Sequence, residues 1–210
     1  MTDYFEVHER DGAARIGELR LAEAVPTPAL VDDVDADTPG PVHRILDDAG
    51  GRWAAEPDPP EGDDSAVTIL PHRGLPAGTP EEVADAFADD DGDVAFPSGA
   101  VVSPTSAGDH AADVTVLSGA TGYVGHGSAF VDAVTTVKDA VPADTALYLS
   151  GVATPRNVAT LVYTGVDLVD PHRAVIRGTE GRYLTTDEAY FLEDLEELPC
   201  ACPACRQPRD

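Results

Sequence analysis

Lysine is almost missing from this chain of 210 residues: Lys138 stands alone among 13 basic residues, the rest being arginine. Tryptophan and methionine occur once each, and aromatic residues make up only 6%. No apolar run approaches the ~18 residues that a membrane span needs, and Met1 to Arg10 lacks the apolar stretch of a secretion signal. Cysteine is restricted to three residues, an odd number packed near the end. These absences argue against a membrane-bound, secreted or disulfide-stapled protein and place it in the cytoplasm. The shortage of basic residues argues against a nucleic-acid binder driven by a basic face.

What fills the chain is acid. Asp and Glu total 39, the formal net charge is -26, and aspartate outnumbers glutamate, all spread from Asp3 to Asp210. This is the composition of a halophilic protein working in molar salt, where the Debye length falls to about 3 Å and self-repulsion is screened. The net charge then reports the solvent more than the ligand. A disordered acidic chain is the alternative, but apolar segments of regular period recur throughout.

Tyr4 to Leu21 reads as a hairpin turning at Asp11-Gly12. Pro26-Thr27-Pro28 carries the chain out in extended form. An acidic loop at Asp32 to Gly40 and a proline-rich loop at Pro57 to Gly62 follow, with Trp53 between them. From Ala66 the chain alternates strand and helix. Strands are expected at Val67–Leu70, Val101-Val102, Val114–Leu117, Ala146–Leu149 and Val166–Val169. Helices are expected from the capping box at Thr79-Pro80-Glu81-Glu82, near Pro104, over about Ser128–Val141 and from Thr154-Pro155. Such alternation implies a parallel sheet. A hairpin spanning Val175 to Leu184 and a helix capped by Thr185 with Glu188 close the α/β part. The expected divisions are residues 1–31 (hairpin), 32–65 (connecting loops), 66–198 (α/β core) and 199–210 (cysteine segment).

Four groups of residues could carry chemistry. Cys200, Cys202 and Cys205 form C-x-C-x-x-C, a spacing that lets three thiolates converge on one tetrahedral zinc; a disulfide or surface thiols are the alternatives, and the fourth ligand must come from elsewhere. Gly119-Ala120-Thr121-Gly122-Tyr123-Val124-Gly125 follows a strand and precedes a helix, as in NAD(P)-binding turns, or is a plain glycine-rich loop. Asp170 lies just past a parallel strand's C-terminal end, where a carboxylate serves as nucleophile, base or ligand, or is only a solvated loop acid. Arg156, Arg173, Arg177 and Arg182 surround Asp170 in sequence and either grip phosphate through guanidinium forks or balance nearby acids. His172 is the histidine worth noting, beside Asp170.

Leu147 to Pro155, Gly165 to Asp170, Arg182-Tyr183-Leu184-Thr185 and Leu192 to Cys205, together with Phe5-Glu6-Val7, Asp11 to Gly17 and Thr27-Pro28-Ala29, resemble the tRNA-guanine transglycosylase family, the archaeal branch above all. The resemblance implies a (β/α) barrel, a tRNA partner, Asp170 as the nucleophile on the ribose, and zinc held by Cys200, Cys202 and Cys205 with a histidine. The family's Asp-Ser-Gly-Gly/Ser-Phe-Gln motif is nowhere in the chain, Pro171-His172-Arg173 replaces the small residues after the nucleophile, and about four strand–helix units fall short of eight. This reduced pattern is similar to the archaeosine synthase branch. It implies a partial barrel with an N-terminal hairpin and a role in archaeosine formation on tRNA; Arg173 and Arg177, from their place beside Asp170, are the candidates for contacts to that substrate. It also implies no base exchange by the chain alone, and catalytic and PUA parts supplied downstream or by a second chain. The alternatives are an active minimal transglycosylase using Asp170 and an NAD(P)-binding protein using the glycine loop.

Overall fold

The computed structural model describes residues 4–31, 42–44, 62–70, 94–197 and 199–200. The helix expected at Thr79, the acidic and proline-rich loops, Trp53, Cys202 and Cys205 lie outside them.

The N-terminal hairpin forms as expected. Strands β1 (Phe5–Asp11) and β2 (Ala14–Leu19) pair antiparallel around a turn in which Gly12 takes a left-handed φ of 62°. A third strand, β3 (Val25–Thr27), adds to β2 from the stretch read as an extended connector.

Seven strands then form one parallel sheet: β4 (Ala29–Leu30), β5 (Val42–Arg44), β6 (Val67–Ile69), β7 (Ser98–Val102), β8 (Val114–Leu117), β9 (Ala146–Leu149) and β10 (Leu168–Val169). Their spatial order is β4-β10-β9-β8-β7-β6-β5. Taken from β5 to β10 the strands follow chain order, and β10 returns to pair with β4. This is the cyclic order of a (β/α) barrel left open between β4 and β5. Two of the strands, β4 and β5, come from stretches the sequence reads as connector and loop; each is too short to show a period.

Alternation along the strands sorts side chains to two cores. Val67, Ile69, Val114, Val116, Ala146, Tyr148 and Leu168 belong to one continuous inner cluster, which Phe5 and Leu19 of the hairpin and Val31 beyond β4 join. Val102, Leu117, Leu147, Leu149 and Val169 face outward. There they meet helix α1 (Gly127–Ala140) through Ala133, Val134 and Val137, and helix α2 (Val158–Tyr163) through Leu161. Val131, on the same helix, is 44% exposed. Gly165 ends α2 at φ 94°. A Cβ there would lie 2.6 Å from Ala13 O and 2.8 Å from Lys138 Nζ, so only glycine lets hairpin, helix α1 and barrel meet at that point. The Lys138 ammonium donates to Gly165 O at 2.8 Å; burial, then the nearby Arg15 charge, push its pKa down to about 8.

The last elements differ from expectation. Val175 and Ile176, read as part of a strand, lie in helix α3 (His172–Thr179). The helix expected after Thr185 is a turn joining β11 (Arg182–Leu184) to β12 (Ala189–Phe191), which pair antiparallel. Thr185 Oγ1 accepts the Glu188 N–H at 3.0 Å, the bond a helix N-cap makes, but Thr185 N also donates to Glu188 O at 2.9 Å and the chain reverses.

One buried ion pair joins hairpin to barrel. Arg15 on β2 holds Asp167, the residue before β10, through Nε to Oδ1 at 2.7 Å and Nη2 to Oδ2 at 2.6 Å. Its remaining donors reach Ala143 O and Thr145 O ahead of β9, and Asp167 Oδ2 also accepts the Leu147 N–H at 2.7 Å. Arg15→Leu is expected to lower the unfolding free energy by about 3–5 kcal/mol, because it strands a buried carboxylate. The double variant with Asp167→Leu should recover part of that loss, while the Leu147 N–H and the Ala143 and Thr145 carbonyls lose the partners they have here; chemical denaturation of the three proteins checks both statements.

Candidate functional site

The parallel strands all point one way, so their C-terminal ends and following loops gather at one mouth, where α/β barrels place their chemistry. Asp170 follows β10 directly and its side chain is 0% exposed. Tyr148, rising from β9 inside the barrel, donates its hydroxyl to Asp170 Oδ2 at 2.9 Å. Gly151 N donates to Oδ1 at 2.9 Å and His172 N to Oδ1 at 3.2 Å, while His172 Nδ1 stands 3.1 Å from Oδ2. The Ser150 side chain adds a further hydrogen bond. Burial by itself would raise the Asp170 pKa, but bonds from Ser150, Gly151 and Tyr148 and the charge of His172 together hold it below the usual carboxylate range. The carboxylate is thus kept ionised and ties the loop after β9 to the start of α3. In this arrangement neither oxygen faces solvent. His172 is legible from the sequence beside Asp170. Tyr148 is not: it sits in an apolar strand, and only the two-residue alternation that also places Ala146 inward shows which face it takes.

The four arginines converge. Arg156, Arg173, Arg177 and Arg182 all line one cleft of about 410 Å3. Its walls are the loop before α2, helix α3 and the β11–β12 hairpin, with Val124 beyond β8 and a single acidic residue, Glu188. The loop before α2 is fixed by Asn157, which accepts the Thr154 N–H at 2.7 Å and donates to Val152 O at 3.0 Å. Arg177 pairs with Glu180 at 2.7 Å, and Arg182 lies over the Phe191 ring at 3.4 Å from its centroid.

The glycine string does not open a helix. Residues 120–123 form a 3-10 turn after Gly119 at φ 63°, and α1 starts only at Gly127. The N–H groups of Gly122, Val124 and His126 are consumed by carbonyls within the turn, so these donors are not offered to a pyrophosphate. Cys200 is half-buried at the limit of the described residues, and the other two cysteines of the motif fall outside them. No described helix is long and apolar enough to cross a membrane.

The profile of the queuine tRNA-ribosyltransferase family matches residues 103–209. The chain is 61% identical to an archaeosine synthase of Haloferax volcanii over 99% of its own length and 34% of that protein. It is 33% identical to an archaeosine synthase subunit alpha of Methanosarcina acetivorans, over 98% of itself and 35% of the relative. A tRNA-guanine(15) transglycosylase of Haloferax volcanii matches 37% of the chain at 39% identity. The chain therefore spans about a third of the length of the first two relatives.

Because Asp170 is held below its unfolded value of about 3.9, its contribution to stability is complete above about pH 4 and is lost as pH falls through the folded value. Asp170→Asn is expected to be less stable at neutral pH and to show a flatter fall in stability between about pH 5 and pH 2. Thermal unfolding of both proteins across that range checks it; parallel curves would contradict the assignment.

Proposed function

The chain belongs to the queuine tRNA-ribosyltransferase family, and from that premise we propose that it is the transglycosylase-like part of an archaeosine-forming tRNA modification enzyme, serving to dock and orient tRNA without exchanging bases itself. The observation that carries this reading is the pairing of a solvent-sealed Asp170 with an arginine-lined cleft near the same mouth. Base exchange needs a carboxylate oxygen within reach of the ribose anomeric carbon. Asp170 instead spends its oxygens on Tyr148, Gly151 and His172 and so acts here as a positioning residue for the loop after β9, which leads to Arg156, and for the start of helix α3, which carries Arg173 and Arg177. Arg173 and Arg177 are the proposed substrate contacts, holding phosphate oxygens through two-pronged hydrogen bonds that a point charge cannot match.

The chemistry at the base is assigned to parts beyond this third of the protein's relatives, whether downstream or on a second chain. Zinc is the proposed metal of Cys200, Cys202 and Cys205, supported by the soft thiolate donor set and its spacing. It would hold the C-terminal segment in shape and takes no part in the steps above. The net charge of -26 fits a protein of the cytoplasm at molar salt.

Two measurements test this reading. Incubated with tRNA and labelled guanine in high salt, the chain should incorporate no label; incorporation would establish instead a minimal transglycosylase using Asp170. In tRNA titrations, affinity should first rise as added salt screens the repulsion between two polyanions. Arg173→Ala and Arg177→Ala should each weaken binding by about tenfold, the loss of one charged hydrogen-bonding contact. A steady fall with salt, or indifference to both substitutions, would defeat the proposed docking surface.

A further inference from the structure

The cleft combines two features that a site for inorganic phosphate would not require together. The first is guanidinium groups left available. Among the described residues, Arg156 and Arg173 have no hydrogen-bond or ion-pair partner, although the chain carries three times as many acids as bases. The second is an aromatic ring left in solvent, which does not itself line the cleft but touches Arg182, which does. Arg182 and Phe191 are cross-strand partners in the β11–β12 hairpin, the guanidinium carbon stands 3.4 Å from the ring centroid, and Phe191 remains 43% exposed beside Leu192 at 46%.

We propose that this cleft takes an unpaired stretch of RNA, whose phosphates are gripped by Arg156 and Arg173 and one of whose bases stacks on the Phe191–Arg182 pair. The proposal rests on the tRNA-docking reading and goes further by specifying the form of the nucleic acid. A cleft of about 410 Å3 between the loop before α2, helix α3 and the β11–β12 hairpin is concave, whereas a duplex presents a convex backbone and hides the faces of its bases. Salt points the same way. In a chain of charge -26, long-range attraction to phosphate is absent at low salt and screened at high salt. Base stacking on an aromatic or guanidinium plane does not depend on that attraction, and only an unpaired base offers its face.

The test uses a labelled RNA of about eight unpaired nucleotides, the same RNA annealed to its complement, and inorganic pyrophosphate as competitor, with anisotropy read from about 0.1 to about 2 M KCl. The single strand should bind at least about tenfold tighter than the duplex, and Phe191→Ala should weaken it about fivefold or more, the loss of one stacked base. Phe191→Trp, which preserves the stacking plane, should keep the affinity, so that a mere folding defect in the alanine variant is distinguished. Equal affinity for duplex and single strand, indifference to Phe191→Ala, failure of Phe191→Trp to bind, or full displacement by equimolar pyrophosphate would each overturn the proposal. If tRNA still binds in those cases, only the unpaired-strand inference falls. If the short strand binds and tRNA does not, it is the tRNA-docking reading that falls.

Discussion

A guanidinium buried at the base of the barrel sets the terms for the rest of the molecule. Arg15 is 5% exposed, and its cost of burial is offset only where a carboxylate and two carbonyls meet it at once. Those partners come from the turn before β9 and from Asp167 before β10, so one side chain of the hairpin fixes the entry of two adjacent strands. Such a pair is worth little as net stability against a well-packed apolar substitute. What it supplies is position. The hairpin can close the barrel in one register only, and Phe5 and Leu19 then fall into the inner cluster. Gly165 enforces the same approach from the outer side, where no Cβ fits beneath Ala13.

With the lower end closed, the polarity of a parallel sheet assigns everything else to the upper end. The same strands β9 and β10 that are held below by Arg15 deliver Tyr148 and Asp170 above. Each end therefore has a buried aspartate, and each is saturated differently: Asp167 by a fixed cation, Asp170 by neutral donors and His172. Asp170 links the loop after β9, which leads to Arg156, to the start of helix α3, which carries Arg173 and Arg177. The link holds together segments whose arginines repel one another, with Glu180 and Glu188 the acids that offset this locally.

The errors of sequence reading have specific physical causes. Thr185 and Glu188 look like a helix start because the threonine-to-backbone bond is common to N-caps and tight turns; the pairing of β11 with β12 decides between them. Val175 and Ile176 look like strand because they are β-branched, yet α3 forms and leaves both exposed, 42% and 57%. Strands β4 and β5 hold two and three residues and have no period to read; only their neighbours in the sheet define them.

The sequence alone determined the hairpin, the strand–helix alternation and the family, and it marked Asp170, Arg173 and Arg177 as candidates, because periodicity, turn chemistry and motif order are local properties of a chain. Tertiary structure alone decided that the sheet curls into an open barrel, that Asp170 is sealed and not presented, and that four arginines spaced along 27 positions share one cleft. Burial, cross-strand pairing and the convergence of loops are relations between residues distant in sequence, and their energies arise only when the chain has closed on itself.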